Sequence, residues 1–68
     1  METSARNQLR GIVKAVSIGA VMAEVIVEVN GIDVVAAITK DSAERLALAD
    51  GKSVLAIIKA TDVMIGVG

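Results

Sequence analysis

The stretch VIVEVNGIDVVAAITK (residues 25–40) decides how the chain folds. Asn30-Gly31 accepts the positive φ angles of a type I′ turn and is flanked on both sides by β-formers, so it predicts a two-residue hairpin. In that register Val29 faces Ile32, Val27 faces Val34, Val25 faces Ala36 and, just outside the quoted run, Ala23 faces Ile38. One face of the hairpin is therefore wholly apolar and belongs to the core. The other face pairs Glu28 with Asp33 near the turn, a like-charge pair that needs water, and pairs Ile26 with Val35 and Glu24 with Ala37 farther along. A surface wet at one end and apolar at the other predicts partial cover by another subunit.

Working toward the N-terminus, residues 10–18 alternate moderately and then meet Gly19-Ala20, a place for a bend or bulge into the next strand. On the other side of the hairpin, TKDSAERLALADGK (residues 39–52) changes period. Ala43, Leu46 and Ala47 fall at helical spacing, Asp41 or Ser42 can cap the start, Asp41 and Glu44 have capping-box spacing, and Asp50-Gly51 supplies a stop. SVLAIIKA (residues 53–60) returns to strand, and DVMIGV (residues 62–67) reads as a last strand. The order strand, strand, strand, helix, strand, strand predicts an all-β, OB-fold-like five-stranded barrel with one short helix between strands 3 and 4. Without a repeat, a proline or a low-complexity linker, residues 1–68 read as a single domain.

So short a chain removes only about 60% of its unfolded surface on folding and is marginal alone. Cysteine and histidine are both absent, which leaves association as the remedy. Eleven Val, eight Ile and eleven Ala, with no aromatic residue, exceed what a small interior absorbs, so the sequence predicts a homo-oligomer with core-like interfaces. The mean hydropathy is +0.70, yet residues 15–23 are bounded by Lys14 and Glu24 and are too short for a bilayer helix, which needs roughly 20 apolar residues. No membrane partner is expected. With neither an export signal nor cysteines, the cytoplasm is the expected compartment.

The side-chain inventory narrows the chemistry. Without His or Cys the common triads and thiol mechanisms fall away, and no nucleophile motif surrounds the Ser, Thr or Lys residues, so the chain is not expected to be an enzyme. Glu24, Glu28, Asp33 and Asp41 could be imagined as a hard-metal site, but carboxylates along a strand face more often form a solvated stripe, and no metal centre is expected. A net charge of −1 and the lack of aromatics argue against a nucleic-acid partner, although the fold class suits one. What remains fits a small oxyanion. Ser4, Arg6 and Asn7 precede the first strand, Thr39, Lys40 and Ser42 lie where a strand meets a helix start, and Lys59, Ala60 and Thr61 close the late strand. Hydroxyls and free N–H groups donate to anionic oxygens, and Arg or Lys supplies charge. Each group also has a plainer role: Ser42 or Asp41 as a helix cap, Lys59 as a snorkelling surface residue, Arg6 as part of a solvated tail. A non-binding assembly domain and a small nucleic-acid binder are the alternatives.

At this point the chain resembles a known family. SARNQLRG (residues 4–11), GAVMAEV (19–25), VAAIT (35–39), DSAERLAL (41–48) and GKSVLAIIKATDVM (51–64) together resemble the molybdenum-pterin-binding proteins, or molbindins, the Mop family with its TOBE-type domain. The resemblance implies a bacterial cytoplasmic protein of OB-like fold, assembled as a hexamer from three dimers, that holds molybdate or tungstate at subunit interfaces for intracellular molybdenum storage or homeostasis. No other cofactor is implied, and molybdenum enters only as its oxyanion. The same domain recurs in molybdate-responsive regulators and transporter ATPases. With neither a helix-turn-helix segment nor a phosphate-binding loop, the sequence reads as a stand-alone binder. The family's S-x-R-N falls on Ser4, Arg6 and Asn7, its T-x-x-S on Thr39 and Ser42, and its K-A-[TS] on Lys59, Ala60 and Thr61. Arg6 and Lys59 are implied to supply charge, Ser4, Thr39, Ser42 and Thr61 hydroxyl donors, and Ala60 a backbone N–H, with Lys40 alongside.

Overall fold

A computed structural model describes residues 2–68. β1 (Asn7–Ile18), β2 (Met22–Val29) and β3 (Ile32–Thr39) form an antiparallel meander, followed by a helix α1 (Lys40–Arg45), a strand β4 (Ser53–Ile58) and a 3₁₀ turn (Ala60–Asp62). The strands make one sheet in the order β3-β2-β1-β4. β1 is shared, its first half pairing with β4 from Asn7↔Ile58 to Ile12↔Ser53 and its second half with β2 from Ile12↔Glu28 to Ile18↔Ala23. That division curls the sheet.

The hairpin forms in the expected register, from Val29↔Ile32 to Ala23↔Ile38. Asn30 and Gly31 take φ angles of 49° and 83°, as a type I′ turn requires. Val25 and Val27 are buried with Val13 at the centre of the core, and Val16, Ile38, Leu48 and Val54 pack around them. On the outer face Lys14 reaches across to Asp33 at 3.1 Å, which relieves the Glu28–Asp33 juxtaposition. Val35 on the same face stays 60% exposed.

The moderate alternation of β1 has a cause. Val13 pairs with Val27 and Ala15 with Ile26, leaving Lys14 as the extra residue of a β-bulge. Side chains at odd positions face inward up to Val13, and after the bulge Val16, opposite Val25, takes the inward side. Gly19 does form the expected bend, its N–H donating to Met22 O at 2.8 Å.

Three expectations are corrected. The helix is capped by Thr39, whose Oγ1 accepts from the Ser42 N–H at 3.1 Å, and not by Asp41 or Ser42; Asp41 lies in the first turn and no Asp41–Glu44 capping box forms. The last residue of β3 serves as cap, so the helix begins earlier. It also ends earlier, at Arg45. Ala47 takes φ 51°, its N–H donates to Glu44 O and the Leu48 N–H donates to Ala43 O, which is a Schellman stop built on alanine. Asp50-Gly51 instead makes the turn into β4, with Gly51 at φ 90° and the Lys52 N–H on Ala49 O. Finally, the sheet has four strands and is not closed into a five-stranded barrel. Residues 63–68 pair with no strand among the described residues.

An open sheet leaves the chain under-buried. Its accessible surface is 5244 Å², whereas a self-contained monomer of 7.0 kDa exposes about 4,000 Å². The difference is about 1,200 Å², and large apolar side chains such as Val21, Ile32, Met64, Ile65 and Val67 are among those left exposed. Among the described residues no helix is long and apolar enough to cross a membrane.

Candidate functional site

The β1–β4 ladder brings two of the three expected clusters together. Asn7 opens β1 opposite Ile58, and its side-chain amide donates to Ile58 O at 3.1 Å, so Asn7 ties the two strand ends together. Ser4 and Arg6 lie immediately before that tie and Lys59, Ala60 and Thr61 immediately after it, at the same end of the sheet. All five are exposed. Gln8 steadies the approach, its Nε2 donating to Ala5 O at 2.8 Å. Ala60 and Thr61 open the 3₁₀ turn, so their N–H groups precede any acceptor within it. The Lys59 side chain makes no capping bond to that turn.

The third cluster lies elsewhere. Thr39 ends β3 opposite Met22, at the level of Ile18 and therefore at the far end of β1. With 12 residues in β1, the path from Asn7 to that level is about 35 Å at ~3.3 Å per residue. Thr39 Oγ1 donates to Ser42 Oγ at 2.8 Å and accepts the Ser42 N–H, while Arg45 Nη2 donates to Ser42 Oγ at 3.4 Å. The Ser42 hydroxyl therefore accepts from both neighbours and keeps its own hydrogen for a further acceptor. The Lys40 N–H is taken by Val21 O at 2.7 Å, and its half-buried side chain borders a shallow hollow with Ala20, Val21 and Asp41.

Two contributors escaped the reading of the sequence. Arg45 stands one helical turn after Ser42, a spacing at which a long polar side chain meets the preceding turn, and Gln8 at the start of β1 reaches back to the carbonyl of Ala5. Gly11 is a third, and it concerns geometry. A Cβ there would fall 2.6 Å from Glu28 O and 2.6 Å from Val27 Cγ1, so β1 and β2 approach where only glycine fits. The four acidic residues weighed as a metal site do not converge as a set: Glu28 faces Asp33, which Lys14 engages, Glu24 lies opposite Ala37, and Asp41 belongs to the helix.

Asp41 and Asp62 stand beside these clusters, but among the described residues neither is ion-paired to Arg6, Lys40, Arg45 or Lys59, so Arg, Lys, hydroxyl and turn N–H donors remain available, the set that suits an anion of several oxygens. One chain presents that set in two halves, at opposite ends of its sheet.

Comparison with known proteins adds the lineage. Residues 3–65 match the TOBE domain. Molybdenum-pterin-binding protein 3 of Clostridium pasteurianum is 52% identical over 66 residues, covering 96% of this chain and 97% of that protein. The solved structure of MopII from Clostridium pasteurianum, in an apo form, superposes with a TM-score of 0.91 at 42% identity, covering 97% of this chain and all of that one. ModG, described as a cytoplasmic molybdate-binding protein and solved with molybdate bound, superposes with a TM-score of 0.93 at 40% identity; the match covers all of this chain and 49% of ModG. A four-stranded OB-like sheet, donor clusters at both of its ends and near-complete alignment with these relatives converge on one lineage: the chain belongs to the TOBE domain family, among the molybdenum-pterin-binding (Mop) proteins.

Proposed function

We propose that the chain binds molybdate, or the similar tungstate, as an intact oxyanion at interfaces between its own copies, and serves intracellular molybdenum storage or homeostasis in the cytoplasm. It acts as a binding protein and not as an enzyme. The reading rests on the split geometry: the Ser4–Asn7 and Lys59–Thr61 groups share one end of the sheet, and Thr39, Lys40 and Ser42 share the other. A site using all three is complete only where one copy's N-terminal end meets another copy's helix start, which a hexamer built as a trimer of dimers provides repeatedly. The relatives that bind molybdate support the choice of anion.

In that site Arg6 and Lys59 offset the charge of the dianion, the Ser4, Ser42 and Thr61 hydroxyls and the Ala60 N–H donate to its oxygens, Thr39 donates to Ser42 and so frees the Ser42 hydrogen for the anion, and Asn7 holds the two strand ends in register. No proton is transferred and no bond to the metal's oxygens is broken. Because the ligand bridges copies, it stabilises assembly: at 100 times its Kd a ligand adds about 2.7 kcal/mol to the state that binds it. Isothermal titration with molybdate tests the assignment. Arg6→Ala and Lys59→Ala are each expected to weaken binding by about 2 kcal/mol or more, roughly 30-fold, because truncation strands a desolvated charge. Light scattering should find the oligomer intact. Unchanged Kd values in both variants would overturn the site and favour a purely structural assembly domain.

A further inference from the structure

The last residue of α1 is bonded in a way its neighbours do not require. Asp41 stands four residues before Arg45, the spacing at which an acidic and a basic side chain pair across a helical turn. That pair is not made, and among the described residues Arg45 is ion-paired to no carboxylate. Its guanidinium instead donates from Nη2 to the neutral Ser42 Oγ at 3.4 Å. Arg45 is exposed and Ser42 half-buried, so a charge that solvent could have taken is held against the Thr39–Ser42 cluster.

That contact matters because of what Ser42 does. Its oxygen accepts from Thr39 Oγ1 at 2.8 Å and from Arg45, so its hydrogen is directed to a further acceptor, and whatever takes that hydrogen lies one hydroxyl away from a guanidinium. The remaining N–H donors of Arg45 have no protein acceptor among the described residues. Lys40, on the same side, has a half-buried side chain that borders the hollow with Ala20, Val21 and Asp41, which leaves Arg45 as the cation tied to the hydroxyl. We propose that Arg45 is a specificity-determining residue of the oxyanion site, its charge beside Ser42 favouring a dianion over a monoanion of the same shape; this rests on the molybdate reading above.

Hydroxyl and backbone N–H donors recognise the tetrahedral arrangement of oxygens, which a dianion and a monoanion share. Fixed charge separates them, because Coulomb attraction doubles when the anion's charge doubles. Arg6 and Lys59 supply charge from the opposite end of the sheet, and Arg45 supplies it on the Ser42 side. Its exposure to solvent weakens the attraction through screening, so its loss should cost the dianion about 10-fold in affinity and, at half the charge, the monoanion about 3-fold.

Isothermal titration of the full chain with molybdate, and with perrhenate as a tetrahedral oxyanion of single charge, tests this at one fixed ionic strength, perrhenate being read by its displacement of molybdate. Arg45→Gln keeps an N–H donor and a good helix former while removing the charge. It should raise the molybdate Kd about 10-fold and the perrhenate Kd about 3-fold, with the melting temperature and oligomer size of the anion-free protein unchanged. Arg45→Lys restores the charge and should return the molybdate Kd to within about 2-fold of the parent's. Equal losses for both anions, no loss for either, or an Arg45→Lys protein as weak as Arg45→Gln would overturn the proposal. Failure of the underlying reading looks different: a parent protein that takes up no molybdate overturns both, whereas binding that Arg6→Ala weakens and Arg45→Gln leaves unchanged overturns the role of Arg45 alone.

Discussion

Replacing Gly11 by alanine tests the close approach of β1 to β2. The added Cβ would meet Glu28 O at 2.6 Å, Val27 Cγ1 at 2.6 Å and Val29 Cγ2 at 2.9 Å. A flexible side-chain tip could yield, but Glu28 O belongs to a strand held between β1 and β3 and cannot move without loosening two ladders. Overpacking of this kind costs about 1–3 kcal/mol, and the lower unfolded-chain entropy of alanine returns ~0.5–1 kcal/mol. A backbone obstruction belongs at the upper end, so the net loss should be about 2 kcal/mol. At roughly 4–8 °C per kcal/mol for a domain this small, Tm should fall by about 8–16 °C. Circular dichroism melts at one fixed protein concentration, needed because association contributes to stability, measure the drop. Gly19→Ala is the comparator: its Cβ would meet only Met22 O, at 3.1 Å, and the loss should stay below about 1 kcal/mol. A Gly11→Ala protein within ~0.5 kcal/mol of the parent would refute the close approach, since that is the scatter of surface substitutions.

Ala47→Gly should stabilise the protein by about 1 kcal/mol, because alanine holds a left-handed φ at the helix stop that glycine adopts freely; thermal melts should rise by a few degrees. Thr39→Ala removes the observed cap and should cost about 1 kcal/mol, whereas Asp41→Ala should stay within ~0.5 kcal/mol in urea unfolding. The reverse ranking would restore Asp41 as the cap. Thr39→Ala should in addition weaken molybdate uptake by titration while Asp41→Ala leaves it unchanged.

What could be read in advance was local. Asn30-Gly31 fixes its turn by backbone chemistry, and the two-residue loop then sets the register that pairs the apolar face from Val29–Ile32 to Ala23–Ile38. The helix limits were hidden because Thr39 ends a strand and caps a helix at once, and because an alanine in the left-handed region carries no mark in the sequence. The bulge at Lys14 showed only as weakened alternation. Residues 62–67 have a strand's composition, but a strand also needs an edge, and which edge is available depends on where the rest of the chain goes. The donor clusters were visible as residue types at three element ends, and resemblance to the Mop family named the oxyanion they would hold. Their separation to opposite ends of the sheet was not visible, because it follows from the way β1 divides its length between β4 and β2.

That division gives Lys14 an unusual standing. Its side chain is exposed and its one ion pair, with Asp33, is worth little, so many residues would serve there. Its presence as a position is another matter. Deleting it would leave Val13 and Val16 two residues apart and both facing inward in an unbroken ladder with Val27 and Val25, so the extra residue sets the local bend of β1 and not which side chains reach the core.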